Sequence, residues 1–278
     1  MSARGEIAFL VGSESRVAVL RGPFRDQPYR PSELAAECSC ARETAQRTVT
    51  AFADRGWVEK LTDDGRYALT AAGDVVAESY DEFEATVAVA DRLSVLLSNL
   101  GDVAVDLDPV VLDRLHAAEA TADNPHAPIN RFLTVAGEEH VERFRGITPI
   151  VSRIFNEAAA RVIGPESSVE LVVDEAVLET SASEYPDDLE RAFELDQFRL
   201  FVAPAKLDFG LMIIDGHAYL AAYDSQGTIL ASVDGTDDEF VAWAERTFRR
   251  CRESTRPFTA TQEGGDVPTG VADDRATE

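Results

Sequence analysis

The chain of 278 residues is 45% hydrophobic and carries 26 basic against 51 acidic side chains, a net charge of -25. It is long enough for two packed domains and too apolar to be disordered throughout. Only Lys60 and Lys206 are lysines; acidic side chains keep a surface hydrated in molar salt, where the Debye length falls to about 3 Å and self-repulsion fades, so the balance points to a halophile, an archaeon.

The acid is unevenly placed. Residues 1–70 hold ten Lys/Arg and ten Asp/Glu, which leaves sixteen bases against forty-one acids, the whole deficit of 25, after residue 70. A surface that approaches phosphates has that reason to stay neutral. From Glu6 to Arg21, Ile7, Leu10, Val11, Val17 and Leu20 recur at helical spacing, predicting one amphipathic helix interrupted by Gly12 and stopped by Gly22-Pro23. Pro31 and Ser32 open a short helix, SELAAEC, and a brief turn leads to a second, RETAQRTVTAFADRG. That second helix sets Ala45, Val49 and Phe52 on one face and Arg42, Glu43, Gln46, Arg47 and Thr50 on the other, with Gly56 as its stop. WVEKLTDDGRYALT then reads as two strands joined at Asp64-Gly65. Helix, short helix, turn, longer helix and hairpin is the order of a winged helix-turn-helix, whose second helix enters the major groove of double-stranded DNA; a small structural α+β module is the alternative.

From Ala71 to Asn99 an apolar stripe (Val75, Val76, Tyr80, Phe83, Val87, Leu93) predicts a long helix, broken at most once. It serves as linker and homodimer contact or packs onto its own domain. Residues 100–146 read as loop-rich, with DNPHAPIN the clearest irregular stretch, followed by a helix from Val151 to Ile163 closed by Gly164-Pro165. VELVVD is a strand, DDLERAFEL a helix and FRLFVA a strand, and LDFGLMIIDGHAYLAAYDSQGTILAS gives strands turning at Asp215-Gly216 and at Ser225-Gln226-Gly227. Thr236 with Glu239 forms a capping box for a last helix, DEFVAWAERTFRRCRES, and Pro257 ends the ordered part. The fold class is α/β overall: 1–70 winged helix-turn-helix, 71–99 helical linker, 100–258 α/β regulatory domain, 259–278 a tail of disordered composition.

The stretches EIAFLVGSESRVAVLRGP, RETAQRTVTAFADRGWVEK and RYALTAAGDVVAESY resemble the winged helix-turn-helix of haloarchaeal regulators grouped with ArsR-type repressors. HAPIN, TPIVSRIFNEAAARVI, VELVVDEAVLE, FGLMIIDGHAYLAAYD and FVAWAERTFRRCRESTRPF resemble the C-terminal domain of the same regulators, named after a methanogenesis regulator. The resemblance spans roughly residues 5–258 and is looser between 100 and 147. It implies a dimeric DNA-binding transcription factor whose C-terminal domain, related in architecture to a phospholipase-D-like sensor, senses a signal that the resemblance does not name; a small-molecule effector is one candidate. Where such regulators begin the recognition helix with Ser, this chain has Ala41, leaving Ser39 or Cys40 to cap it.

On the first turns of the recognition helix Arg42, Glu43, Thr44, Gln46 and Arg47 are the expected DNA contacts: arginine can grip guanine bidentately, Gln46 suits adenine and Glu43 can accept from cytosine. Lys60 and Arg66 flank the wing, within reach of phosphate. Arg153, Asp174 and His217, polar positions where strands and helices meet, are candidate effector ligands; each also fits an ordinary solvated turn or helix face. No enzyme is expected. A phospholipase-D-like site needs His with Lys two positions on, whereas His116, His126, His140 and His217 are followed there by Ala, Pro, Glu and Tyr. Nor is there a nucleophile elbow, a Walker loop or a dinucleotide fingerprint, so no cofactor is expected. Cys38, Cys40 and Cys251 build neither a disulfide framework nor a zinc site, and no metal is expected. The N-terminus lacks a signal-peptide pattern and no stretch approaches the roughly 18 apolar residues of a membrane span, so the protein is expected in the cytoplasm with no membrane partner. The alternative function is a winged helix that holds another protein.

Overall fold

Apolar residues of the first ninety positions meet around three aromatic rings. Phe52 lies 6.2 Å from Phe9, edge to face, and 5.5 Å from Trp57, and Val19, Leu20, Leu34, Ala45 and Val49 pack around them with no exposed surface. The computed structural model describes residues 2–21, 24, 27–61 and 65–259 and divides between Arg92 and Leu93 into two units. The first unit holds α1 (Ala3–Val11), α2 (Glu14–Arg21), α3 (Pro31–Glu37), α4 (Arg42–Ala53), β1 (Val58–Lys60), β2 (Tyr67–Leu69) and α5 (Ala71–Arg92).

The single helix expected over 6–21 is thus two. Gly12 ends α1 at φ -70°, ψ 6°, donating to the Ala8 carbonyl, and the Ser13 carbonyl accepts the first bonds of α2. Gly22-Pro23 and Asp64 lie outside the described residues. Pro31 opens α3 as expected, but Arg30 is its cap residue, its N–H held by the Glu33 carboxylate at 2.8 Å. Between α3 and α4 the chain reverses through Ser39, whose φ of 48° is left-handed. Ala41 then caps α4 without a side-chain acceptor. β1 and β2 pair antiparallel with Lys60 opposite Tyr67, and Tyr29 bridges to Tyr67 on the other edge. α5 starts against this wing: a Cβ at Gly73 would stand 2.0 Å from the Trp57 carbonyl oxygen, an approach only glycine permits. The helix expected to reach Asn99 breaks at Leu93, and α6 (Ser94–Ser98) follows.

The second unit continues with a 3-10 turn at Gly101–Asp106, then α7 (Pro109–Asp113), β3 (His116–Glu119), α8 (Ala127–Ala136), β4 (Val141–Ile147), α9 (Arg153–Val162), β5 (Ile163–Asp174), α10 (Glu175–Glu184), α11 (Pro186–Phe193), β6 (Phe198–Ala203), β7 (Phe209–Ile214), β8 (His217–Tyr223), β9 (Ile229–Gly235), α12 (Asp238–Glu253) and β10 (Arg256–Phe258). Eight strands form one mixed sheet, β10-β6-β5-β4-β7-β8-β9-β3. β4, β5 and β6 run parallel, joined by helical crossovers, and the remaining neighbours pair antiparallel. Phe144, Met212, Ile214 and Tyr219 face α8 to α11. Arg145 and Glu170 alternate to the other face, where α12 brings Glu245 and Arg252 onto them.

The region expected to be loop-rich therefore contains α7, β3, α8 and most of β4. β4 hides its alternation behind charge, because Arg145 is accommodated by Glu170 and Glu245. Gly164-Pro165 does not close α9; α9 runs directly into β5, and the pair lies where the β4–β5 register shifts, with the Gly164 N–H donating to the Ser167 hydroxyl at 3.0 Å. The cap of α12 is Asp237, accepting from Glu239 and Phe240, and Thr236 precedes it. Pro257 does not end the order but sits in β10, paired with Phe201 of β6. Of the tail only Thr259 is described. The turn at Asp215-Gly216 forms as expected, with φ of 46° and 84°.

Candidate nucleic-acid interface

On α4 the helical period separates two arcs. Ala45, Thr48, Val49 and Phe52 are buried, while Arg42, Glu43, Gln46, Arg47 and Thr50 are exposed and Thr44 is half-buried. The Thr50 hydroxyl donates to the Gln46 carbonyl at 2.9 Å and lies 3.4 Å from the Gln46 amide.

The arginines of this unit fall into two groups. Arg55 is tied down: its guanidinium meets the Glu6 carboxylate at 2.6 Å, donates to the Ala51 carbonyl at 2.8 Å and lies 3.5 Å from the centre of the Phe9 ring. Arg16 covers the same ring at 4.2 Å and bonds the Phe9 carbonyl. Arg21 grips Asp81 at 2.5 Å and Glu84 at 2.6 Å. Among the described residues, by contrast, the side chains of Arg4, Arg30, Arg42, Arg47 and Lys60 meet neither a carboxylate nor a backbone carbonyl. Two of those five cations stand on the exposed arc of α4. A guanidinium in that state keeps all its donors for a partner outside the chain.

Lys60 is exposed where β1 runs toward the hairpin end. Arg66 is half-buried and reaches the Pro28 carbonyl at 3.4 Å, so its guanidinium is engaged with the body of the unit. Burial, helped by Cys40 and Glu37, pushes the Cys38 thiol above its ordinary range, which keeps it protonated and unreactive.

The three positions proposed as effector ligands are not brought together. Arg153 at the start of α9 has a side chain 82% exposed and pairs with Glu157 at 2.7 Å. Asp174 is buried and caps α10, accepting from the Val177 N–H at 2.9 Å and the Leu207 N–H at 3.1 Å. His217 lies 2.7 Å from the Asp234 carboxylate. Asp234, which sequence reasoning passed over, is 1% exposed and takes two Arg131 bonds of 2.6 Å as well. Burial pushes its carboxyl upward, but the Arg131 and His217 bonds outweigh that and hold it below the usual carboxylate range. An aspartate inside the apolar run ILASVDG was the available signal.

Among the described residues no helix is long and apolar enough to cross a membrane. Residues 125–254 match the family described as the middle domain of the methanogenesis regulatory protein FilR1, and on this match the chain is a regulator-like protein with a mixed α/β body. Residues 4–92 match the family described as the HVO_A0261 N-terminal domain. No curated protein matches. Among solved structures the chain is similar to TrmBL2, an archaeal chromatin protein, at 12% identity over 92% of this chain and 100% of that one, with a TM-score of 0.39. It is also similar to the transcriptional regulator Tm0710 from Thermotoga maritima, at 20% identity over 32% of this chain and 67% of that one, TM-score 0.26. A third likeness is to the dimethyltransferase RosA from Streptomyces davawensis, at 14% identity over 72% and 64%, TM-score 0.25. Likenesses this loose reach regulators and methyltransferases alike, so they discriminate nothing.

Proposed function

We propose that the protein is a haloarchaeal DNA-binding transcription regulator, without catalytic activity, that works in the cytoplasm. In this reading residues 1–70 of the first unit are an ArsR-like winged helix-turn-helix. It lays α4 in the major groove, with Arg47 and Arg42 on guanine edges or phosphates and Gln46, Glu43 and Thr44 beside them. Lys60 and Arg66 of the wing follow the backbone, Arg66 with fewer donors to spare. The observation that carries the reading is the partition of arginines: in a chain with nearly twice as many acids as bases, α4 keeps two guanidiniums exposed and without a carboxylate, while Arg16, Arg21 and Arg55 are held internally. The family match to a regulatory protein supports it from the second unit.

Residues 71–99 then act as linker and homodimer contact. α5 leaves Val75 and Phe83 each 62% exposed and Val87 50% exposed, which at 100° per residue form one stripe roughly 120° wide. Residues 100–258, within the second unit, are a phospholipase-D-like sensor that has kept the architecture and not the chemistry. The test is chromatin occupancy of the tagged protein in its own cells. Discrete promoter peaks that vanish in an Arg42→Ala, Arg47→Ala double variant are expected, with a palindromic motif if α5 pairs two copies. Peaks that survive in the variant, or none under any growth condition, would remove the reading.

A further inference from the structure

Leu171 lies in β5, flanked by β4 and β6 and roofed by α9, α10 and α11, where a leucine is ordinarily sealed. It is only half-buried. The reason is a cavity of about 250 Å³ between sheet and helices, walled by Phe132, Phe155, Ala159, Leu171, Leu200 and Met212. The floor is set by the strands: Gly146 of β4 pairs with Leu171 on one side and Met212 on the other, and Leu171 and Phe144 lean over it, 2.9 and 3.0 Å from where a Cβ on it would stand. The roof leaves the room by amphipathicity. α11 turns Leu189 and Ala192 inward against the core, yet none of its residues is fully buried, because that apolar face also borders the cavity. Protein interiors pack like organic crystals, and an unfilled apolar space forgoes the dispersion contacts of its whole lining.

The charged groups of the wall and its amide gather on α9 and α11, while Thr148, Ser181 and Tyr185 add hydroxyls elsewhere. The Asn156 amide donates to Asp188 at 2.9 Å, and Arg191 meets the other oxygen of the same carboxylate at 3.0 Å. This cluster is charge-balanced. An anion would have to draw Arg191 from Asp188 and a cation would have to draw Asp188 from Arg191, so a neutral molecule fits best. It has the Asn156 carbonyl and the spare Arg191 N–H groups for its polar end. Size follows by comparison: an apolar cavity of about 150 Å³ takes one benzene ring, so this one suits two fused rings or a branched chain of similar bulk. A concave site with mostly apolar walls and a few convergent polar groups is the usual anatomy of a small-molecule site, and this one opens to solvent beside Arg191.

We propose that this cavity is the effector site: the second unit binds a neutral, largely apolar small molecule of about two fused rings carrying a single hydrogen-bonding group. The inference rests on the regulator reading only in taking the second unit as the sensing part. Its test needs no DNA, so either can fail without the other. 2-Naphthol is titrated calorimetrically into the full-length protein, with 2-naphthoate and 2-naphthylmethylamine as charged counterparts. One site per chain is expected, with the neutral probe bound at least tenfold tighter than either ion and raising the melting temperature. Ala159→Phe and Ala192→Phe, which fill the space from α9 and from α11, should each weaken binding at least tenfold while melting no lower than the parent. If one of them fails to fold, the other carries the test. No binding of 2-naphthol up to its solubility, preference for an ion, or undiminished binding in a folded filled variant would overturn the proposal.

Discussion

The division of arginines into structural and free ones makes opposite predictions for two substitutions on α4 and just beyond it. Arg47→Ala removes an exposed side chain without an internal partner from a helix that alanine suits at least as well, so the stability of the first unit should move by no more than about 0.5 kcal/mol. If Arg47 grips a guanine, specific binding should weaken by about 1 to 3 kcal/mol, roughly 5- to 150-fold, at a fixed salt concentration. If it meets a phosphate instead, affinity falls for all sequences alike and the slope of log K against log salt shrinks by about 0.9. Arg55→Ala does the reverse. It strips the 2.6 Å pair with Glu6, the 2.8 Å bond to the Ala51 carbonyl and the stack on Phe9 at 3.5 Å. A charge-assisted bond is worth about 1.5 to 3 kcal/mol and a cation–π contact about 0.5 to 1, so a loss of about 2 to 3 kcal/mol is expected, a melting point lower by roughly 10 to 20 °C. Thermal melts by circular dichroism and fluorescence anisotropy on an occupied promoter fragment, across a potassium chloride series, read both quantities. Promoter affinity and salt slope unchanged in Arg47→Ala, or full stability in Arg55→Ala, would refute the reasoning.

Three further outcomes follow from single contacts. Gly73→Ala places a methyl 2.0 Å from the Trp57 carbonyl oxygen and 2.8 Å from Leu69, so α5 must shift off the wing; about 1 to 3 kcal/mol of destabilisation is expected in chemical denaturation. Asp237→Ala removes the cap of α12, which accepts from Glu239 at 3.0 Å and Phe240 at 3.3 Å, and should cost about 0.5 to 2 kcal/mol, with Asp237→Asn recovering most of it. Asp234 has its folded pKa held below the unfolded value by Arg131 and His217 despite burial. Its contribution is therefore complete above the ordinary carboxylate value of about 4 and fades as pH falls through the lower folded one. Denaturation midpoints should show this acid loss in the parent and not in Asp234→Asn, which starts less stable at neutral pH.

Elements with a clean period were legible in the sequence. α4 announced both of its arcs, because Ala45, Val49 and Phe52 recur at helical spacing and the polar residues between them have no internal work. The β7–β8 hairpin was equally plain, since Asp215-Gly216 supplies the two positive-φ residues such a turn requires. What escaped was structure created by long-range pairing. β3, HAAE, has little strand propensity of its own and is a strand because β9 offers an edge to Ala117 and Ala118. β5 runs through Gly164-Pro165, a pair that reads as a stop until β4 supplies a partner with a shifted register. The candidate sites followed the same rule. The exposed residues of α4 were recoverable from one helix, whereas the work of Asp174, read as a ligand, depends on Leu207 thirty-three positions away. The cavity was invisible because its walls come from strands and helices far apart in sequence, from Phe132 to Met212, which no local pattern joins.

The weight placed on two free arginines depends on how this chain treats the others. In the second unit Arg114, Arg131, Arg145, Arg153, Arg191, Arg250, Arg252 and Arg256 each meet a carboxylate within salt-bridge distance. Others there, Arg143, Arg161, Arg199, Lys206, Arg246 and Arg249, meet none among the described residues, so what marks α4 is not an unpaired cation as such but two unpaired arginines sharing one exposed helical arc. α4 has a single acid, Glu43, on its exposed arc, against Arg42 and Arg47. At molar salt little of any DNA affinity can come from counterion release, because the bulk already holds the counterions. Specific hydrogen bonds to base edges must then supply a larger share, and those need guanidiniums whose donors are not already spent. Under the proposed halophilic reading, the sparing of this helix and the acidity of the rest of the chain answer the same physical setting.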